Sequence, residues 1–119
     1  MTNESYWLIG NPALGYAQAS PNDTLTIWAT GGGRTTPLLD DSIAVTPLAL
    51  CCYHLSVQPQ VLVDNLSAVV AYAGLAPGET PGLNQINFVV PGLASGAHDL
   101  TLVSSGGQSV TYKGALWIK

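Results

Sequence analysis

An all-β fold is what this sequence predicts, and three observations carry that expectation. Thirteen glycines and eight prolines are spread along 119 residues, punctuating short runs as the turns of a sandwich or barrel do. Those runs alternate apolar and polar residues with period two, which lays one face of a strand against a core. No long segment repeats with the 3.6-residue period of a helix, and there are no heptads.

From the N-terminus, Tyr6-Trp7-Leu8-Ile9 reads as a first strand, and Pro12 and Gly15 interrupt the stretch after it. Thr24 to Thr30 alternates cleanly, placing Leu25, Ile27 and Ala29 on one face and Trp28 on the other. Gly31 to Pro47 opens with three glycines and contains Pro37, so it reads as loop. Tyr53, Leu55 and Val57 alternate with His54, Ser56 and Gln58 in a second strand that Pro59 ends. Val61-Leu62-Val63, then Asp64-Asn65, then Leu66 to Tyr72 form the clearest hairpin. Asp and Asn accept the positive φ that a type I′ turn needs at both central positions. A loop over 74–82 precedes a strand over 85–90, whose Ile86, Phe88 and Val90 point inward. Gln85 and Asn87 then lie on the opposite face, where their amides are expected to tie down the 74–82 loop. Strands over 98–103, 109–112 and 116–118 complete the chain, with a turn at Gly106-Gly107. Seven to nine short strands in about 100 residues describe an immunoglobulin-like antiparallel β-sandwich.

Composition bounds what such a domain does. Apolar residues make up 47% and charged residues only 8%, against roughly 25% charged in an average domain. Either Ser, Thr, Asn and Gln cover the surface or part of it meets another surface. The net charge of −4, with Arg34, Lys113 and Lys119 as the basic residues, offers no basic patch, which argues against nucleic acid as a partner. No stretch reaches the ~20 apolar residues of a transmembrane helix. The opening Met1-Thr2-Asn3-Glu4-Ser5 lacks the basic and apolar regions of an export leader.

One tract is more particular. Tyr72-Ala73-Gly74-Leu75-Ala76-Pro77-Gly78, followed by Pro81-Gly82-Leu83-Asn84-Gln85-Ile86-Asn87-Phe88-Val89-Val90-Pro91, resembles the core of a domain first described in Solibacter. That domain occurs at or near the C-terminus of large secreted Acidobacterial proteins. Pro21 to Thr26 with Ala29 to Gly33, the hairpin over 61–68, and residues 92–101 with the Gly106-Gly107 turn are similar to its flanks. The resemblance covers 20–119 and leaves 1–19 as an N-terminal strand or extension of a single domain. It implies an immunoglobulin-like module, related to transcription-factor-type and plexin-type modules, on an exported protein at the cell surface or outside the cell. The family carries no established catalytic or ligand residues to transfer. This chain departs from it at Asp64-Asn65, where the family has Gly-Gly, and around Cys51-Cys52.

Read for chemistry, the residues give little. His54, His98 and many serines are present, but Gly92-Leu93-Ala94-Ser95-Gly96 misses the spacing of a nucleophile elbow. His98 and Asp99 point to opposite faces of a strand, and both histidines read as solvated. Asp23, Asp40 and Asp41 carry oxygens suited to calcium, yet no calcium-loop spacing surrounds them, and no metal or other cofactor is expected. Gly31-Gly32-Gly33-Arg34 lacks the adjoining helix that a phosphate cradle needs. Cys51-Cys52 is either a reduced pair, a strained vicinal ring or a bridge to another chain, since neighbouring Cα atoms sit too close for an ordinary disulfide.

Trp7, Trp28 and Trp117 are candidates for a sugar-stacking platform, the alternative being that one fills the core and the others cover its ends. The leading expectation is a non-catalytic structural or adhesion-type module: a spacer, cap or docking surface. Its partners are other domains of a parent protein or further copies of itself. The alternatives are a carbohydrate-binding module using exposed tryptophans, with a glycan as partner, or a self-assembling subunit in which Tyr6-Trp7-Leu8-Ile9 adds as an edge strand to a neighbour.

Overall fold

A computed structural model describes residues 1–3, 7–29, 35–36, 54–76, 83–104 and 107–119. Cys51-Cys52, Tyr6, Tyr53, Asp40-Asp41, Gly31 to Arg34 and the Pro77 to Gly82 turns lie outside the described residues. The described residues form β1 (Thr24–Ala29), β2 (Thr35–Thr36), β3 (His54–Leu55), β4 (Gln60–Val63), β5 (Leu66–Ala68), β6 (Val70–Leu75), β7 (Asn84–Val89), β8 (Gly96–Val103) and β9 (Ser109–Ile118). Two sheets result, ordered β1-β7-β6-β3-β2 and β5-β4-β8-β9, and their strand pairings are antiparallel. A single 3-10 turn, Pro12–Leu14, begins at Asn11, whose side chain accepts the Ala13 N–H, and closes on Gly15 at φ 91°. No α-helix occurs among the described residues.

The alternation that predicts β1 and β7 also sets their register. Leu25 faces Phe88 and Ile27 faces Ile86, while Thr26 faces Asn87 on the opposite side. Leu25, Ile86, Phe88 and Val90 from the first sheet join Val61, Val63, Leu100, Leu116 and Ile118 from the second in one buried cluster. Burying a side chain of this size contributes about 1.5–3 kcal/mol, so this shared apolar face holds the sheets together. On the other face, Asn87 Oδ1 accepts from Thr26 Oγ1 (2.9 Å) and Gln85 Nε2 (3.2 Å). Asn87 therefore links β7 to β1, because the register sets Thr26 directly opposite it, while Gln85 braces Asn87 along the strand. Residues 77–82 of the loop that these amides are expected to hold lie outside the described residues.

The hairpin turn has the geometry its residues require, with Asp64 at φ 50° and Asn65 at φ 66°. Its second arm does not run on to Tyr72. β5 ends at Ala68 in one sheet and β6 begins at Val70 in the other, with Val69 69% exposed between them. Ala68 to Ala71 is a continuous apolar run without a turn residue, so nothing in the local pattern marks the sheet change. A register shift between Val70 and Tyr72 then moves the inward parity to Ala73. β6 then extends past Gly74, expected as loop, because Gly74 pairs with both His54 and Gln85. Leu55 is buried as expected, whereas Val57 is exposed, since the chain bends at Ser56–Val57 and β3 ends at Leu55.

The N-terminus also differs from the expected first strand. Thr2 pairs with the outer edge of β1 through two main-chain bonds with Thr26, 2.9 and 2.8 Å, and with Leu8 on its other side. Ile9 pairs in parallel with Ala17, and Ala19 with Ile118. Residues 1–19 therefore wrap along their own domain by isolated bridges, interrupted by the Pro12–Leu14 turn.

Candidate functional site

β9 is the edge of the second sheet and β1 lies near the edge of the first. By register, Val110 faces Leu102 and Tyr112 faces Leu100, so both belong to the core-directed side of the sheet. They are nevertheless 52% and 54% exposed. A cleft of about 260 Å³ opens there, lined by Met1, Ile9, Ile27, Trp28, Leu100 and Tyr112 among others. It runs into a more polar recess lined by Trp28, Leu102, Ser104, Gln108, Val110 and Tyr112. The arrangement offers two aromatic side chains, an apolar floor and an amide and a hydroxyl at the rim, which is the make-up of a binding surface.

Of the three tryptophans, only Trp28 lines this cleft; it is half-buried, and its indole N–H donates to Thr2 Oγ1 (3.2 Å). Trp117 is half-buried on the second sheet and donates its indole N–H to the Gly114 carbonyl (2.9 Å), an internal support. Trp7 is 67% exposed on the N-terminal segment. Trp28 and Trp117 belong to different sheets. Cys51 and Cys52 lie outside the described residues. Tyr112, Val110 and Gln108 are not singled out by sequence; their core parity is readable there, their lack of cover is not.

At the other end of the second sheet sits a polar network. Asp64 Oδ2 lies 2.5 Å from His98 Nδ1, and the Ala94 carbonyl oxygen lies 2.6 Å from His98 Nε2. Asp64 Oδ1 accepts the Asp99 N–H (2.8 Å), and the Asp64 N–H donates to the Asp99 carbonyl (3.0 Å). Asp99 Oδ1 in turn accepts the Gly114 N–H (3.0 Å). His98 is thus buried, 8% exposed, and ion-paired, not solvated as its sequence context suggests. It shares parity with Leu100 and points inward, where the hairpin turn supplies its carboxylate. The Asp64 carboxylate beside it, and then the Ala94 carbonyl, raise the His98 pKa against the opposing effect of burial. The His98 hydrogen bond, then the Asp99 N–H, lower that of Asp64.

His54 pairs through its main chain with Gly74, and its side chain lies outside the described part. The Asp23 carboxylate accepts the Ser20 N–H (2.8 Å). Among the described residues, no group of three or more His, Cys, Asp or Glu side chains is placed to hold a metal ion. No helix among them is long and apolar enough to cross a membrane.

The fold and the cleft define a two-sheet antiparallel β protein with an exposed apolar seam. Comparison of the chain with family models, with curated proteins and with solved structures returned no match.

Proposed function

We propose that the chain is a non-catalytic, immunoglobulin-like sandwich module of an exported bacterial protein, of the Solibacter type that residues 72–91 resemble, and that it works as a docking surface. The observation that carries this reading is the open seam, where Val110 and Tyr112 have core parity but stand half exposed beside Trp28. The occupant is an extended segment from another domain of the same protein. Its apolar side chains fill the cleft while its main chain adds to β9, which pairs only with β8 over Ser109–Lys113 among the described residues. A floor built from Ile9, Ile27, Leu100 and Leu102 suits such side chains better than sugar hydroxyls.

A glycan is the second reading, favoured by Trp28 and Tyr112 lining one recess with Gln108 and Ser104. Strand donation by the N-terminal segment is less well supported. Main-chain groups of Trp7, Leu8, Ile9 and Gly10 already bond to Asn3, Ala17 and Met1 within the chain.

Hydrogen exchange on this chain alone and on the full product of its gene tests the docking reading. Added protection over Ser109–Lys113 and at Trp28–Ala29 in the longer protein is the expected result. Added protection elsewhere only, or a gene product with no further domain, contradicts it. Soluble glycans that shift the emission of Trp28, with Trp7 and Trp117 replaced by phenylalanine, would transfer the site to the second reading.

A further inference from the structure

His98 sits where two acceptors converge. Nδ1 faces a carboxylate and Nε2 faces a carbonyl, and neither an ionised carboxylate nor a carbonyl can donate. Only the imidazolium, with a proton on each nitrogen, satisfies both contacts. The groups it joins are far apart in sequence: Asp64 belongs to the β4–β5 turn and Ala94 to the segment leading into β8. We propose that His98 is a pH-operated staple, tying the β4–β5 turn to the 91–95 segment when protonated and releasing the Ala94–Ser95 end of that segment when it loses a proton.

The release has a defined direction. A neutral imidazole keeps one N–H, and the charged Asp64 carboxylate is the stronger acceptor, so the proton stays on Nδ1. Nε2 then turns a lone pair toward the Ala94 oxygen at 2.6 Å, two electron-rich atoms in contact. Leu93 packs against the core cluster and anchors the middle of the 91–95 segment, so the part that gives way is its end beside the staple, Ala94–Ser95. Both of these residues are exposed. The turn is held better, since Asp64 also bonds the Asp99 main chain at both its N–H and its second carboxylate oxygen.

The surroundings fix the pH window. Asp64 faces His98 from the hairpin turn and Asp99 adds a second negative charge from the same strand. Leu116, opposite on β9, is apolar, and residues 91–95 carry no ionisable side chain. The folded protein raises the proton affinity of His98, so the stabilisation is complete below the ordinary value of 6.5 and fades as pH rises through the folded-state value. Asp64 is lowered, so its contribution is present above the ordinary 3.8 and is lost as pH falls through its own folded-state value. The staple is closed between these limits.

Imidazole nitrogen NMR on the unmodified protein tests the proposal, with the His98 signals identified by their loss in His98→Gln. Both His98 nitrogens are expected to be protonated at pH 6, with a midpoint above 6.5. The Ala94 carbonyl carbon and the 94–95 amide signals are expected to shift with that same midpoint, and Asp64→Asn to move it down. A His98 midpoint at or below 6.5 overturns the proposal. So does a normal titration in which the 94–95 signals stay still, which would leave an ion pair without a switch. Should His98→Gln fail to fold, His54→Gln leaves the His98 imidazole as the one that remains and assigns the same signals.

Discussion

The two halves of β9 make the most instructive contrast in this molecule. From Ser109 to Lys113 every residue is exposed, including Val110 and Tyr112, whose register turns them toward the core. From Leu116 to Ile118 the alternate residues are fully buried. The strand is one and the period is one. The dividing point is Gly114, at φ 63° in an irregularity of the β8–β9 ladder, held by Asp99 on its N–H and by Trp117 on its carbonyl. Alternation therefore states which face a side chain takes, and the opposing sheet decides whether that face is covered.

Variants can break the contrast or sharpen it. Leu116→Ala removes a fully buried side chain and is expected to cost about 2–5 kcal/mol in urea unfolding. Next comes Gly114→Ala. A Cβ there meets nothing within 4 Å, so the expected loss of about 1–2 kcal/mol is backbone strain alone. Asp99→Ala leaves the Gly114 N–H without its carboxylate and is expected to cost about 1 kcal/mol, read by the same unfolding curves. The smallest effect belongs to Tyr112→Ser, within about 0.5 kcal/mol, as for an exposed surface position. If Tyr112→Ser proved as damaging as Leu116→Ala, the two halves would not differ as described.

Much of this fold is legible in the residues. The Asp64-Asn65 turn, the alternation of Thr24–Ala29, and the inward row Ile86, Phe88, Val90 each follow from local rules, and the sheets keep them. What escapes reading depends on residues distant in sequence. The sheet change at Val69 falls inside the apolar run Ala68 to Ala71, which holds no turn residue, so no local signal marks it. The His98–Asp64 pair spans 34 positions; His98 reads as solvated at the start of its strand, and only the pairing of β4 with β8 brings the turn beside it. The seam at Trp28, Val110 and Tyr112 is a shortage of cover, which period-two reasoning cannot register.

The most direct test uses the native protein with a dissolved paramagnetic probe, which relaxes side-chain protons according to their exposure. Strong relaxation of the Val110 methyl and Tyr112 ring protons, with the Leu116 and Ile118 methyls nearly untouched, is the predicted result. Equal protection along the whole of β9 would contradict the open seam and remove the basis for docking there.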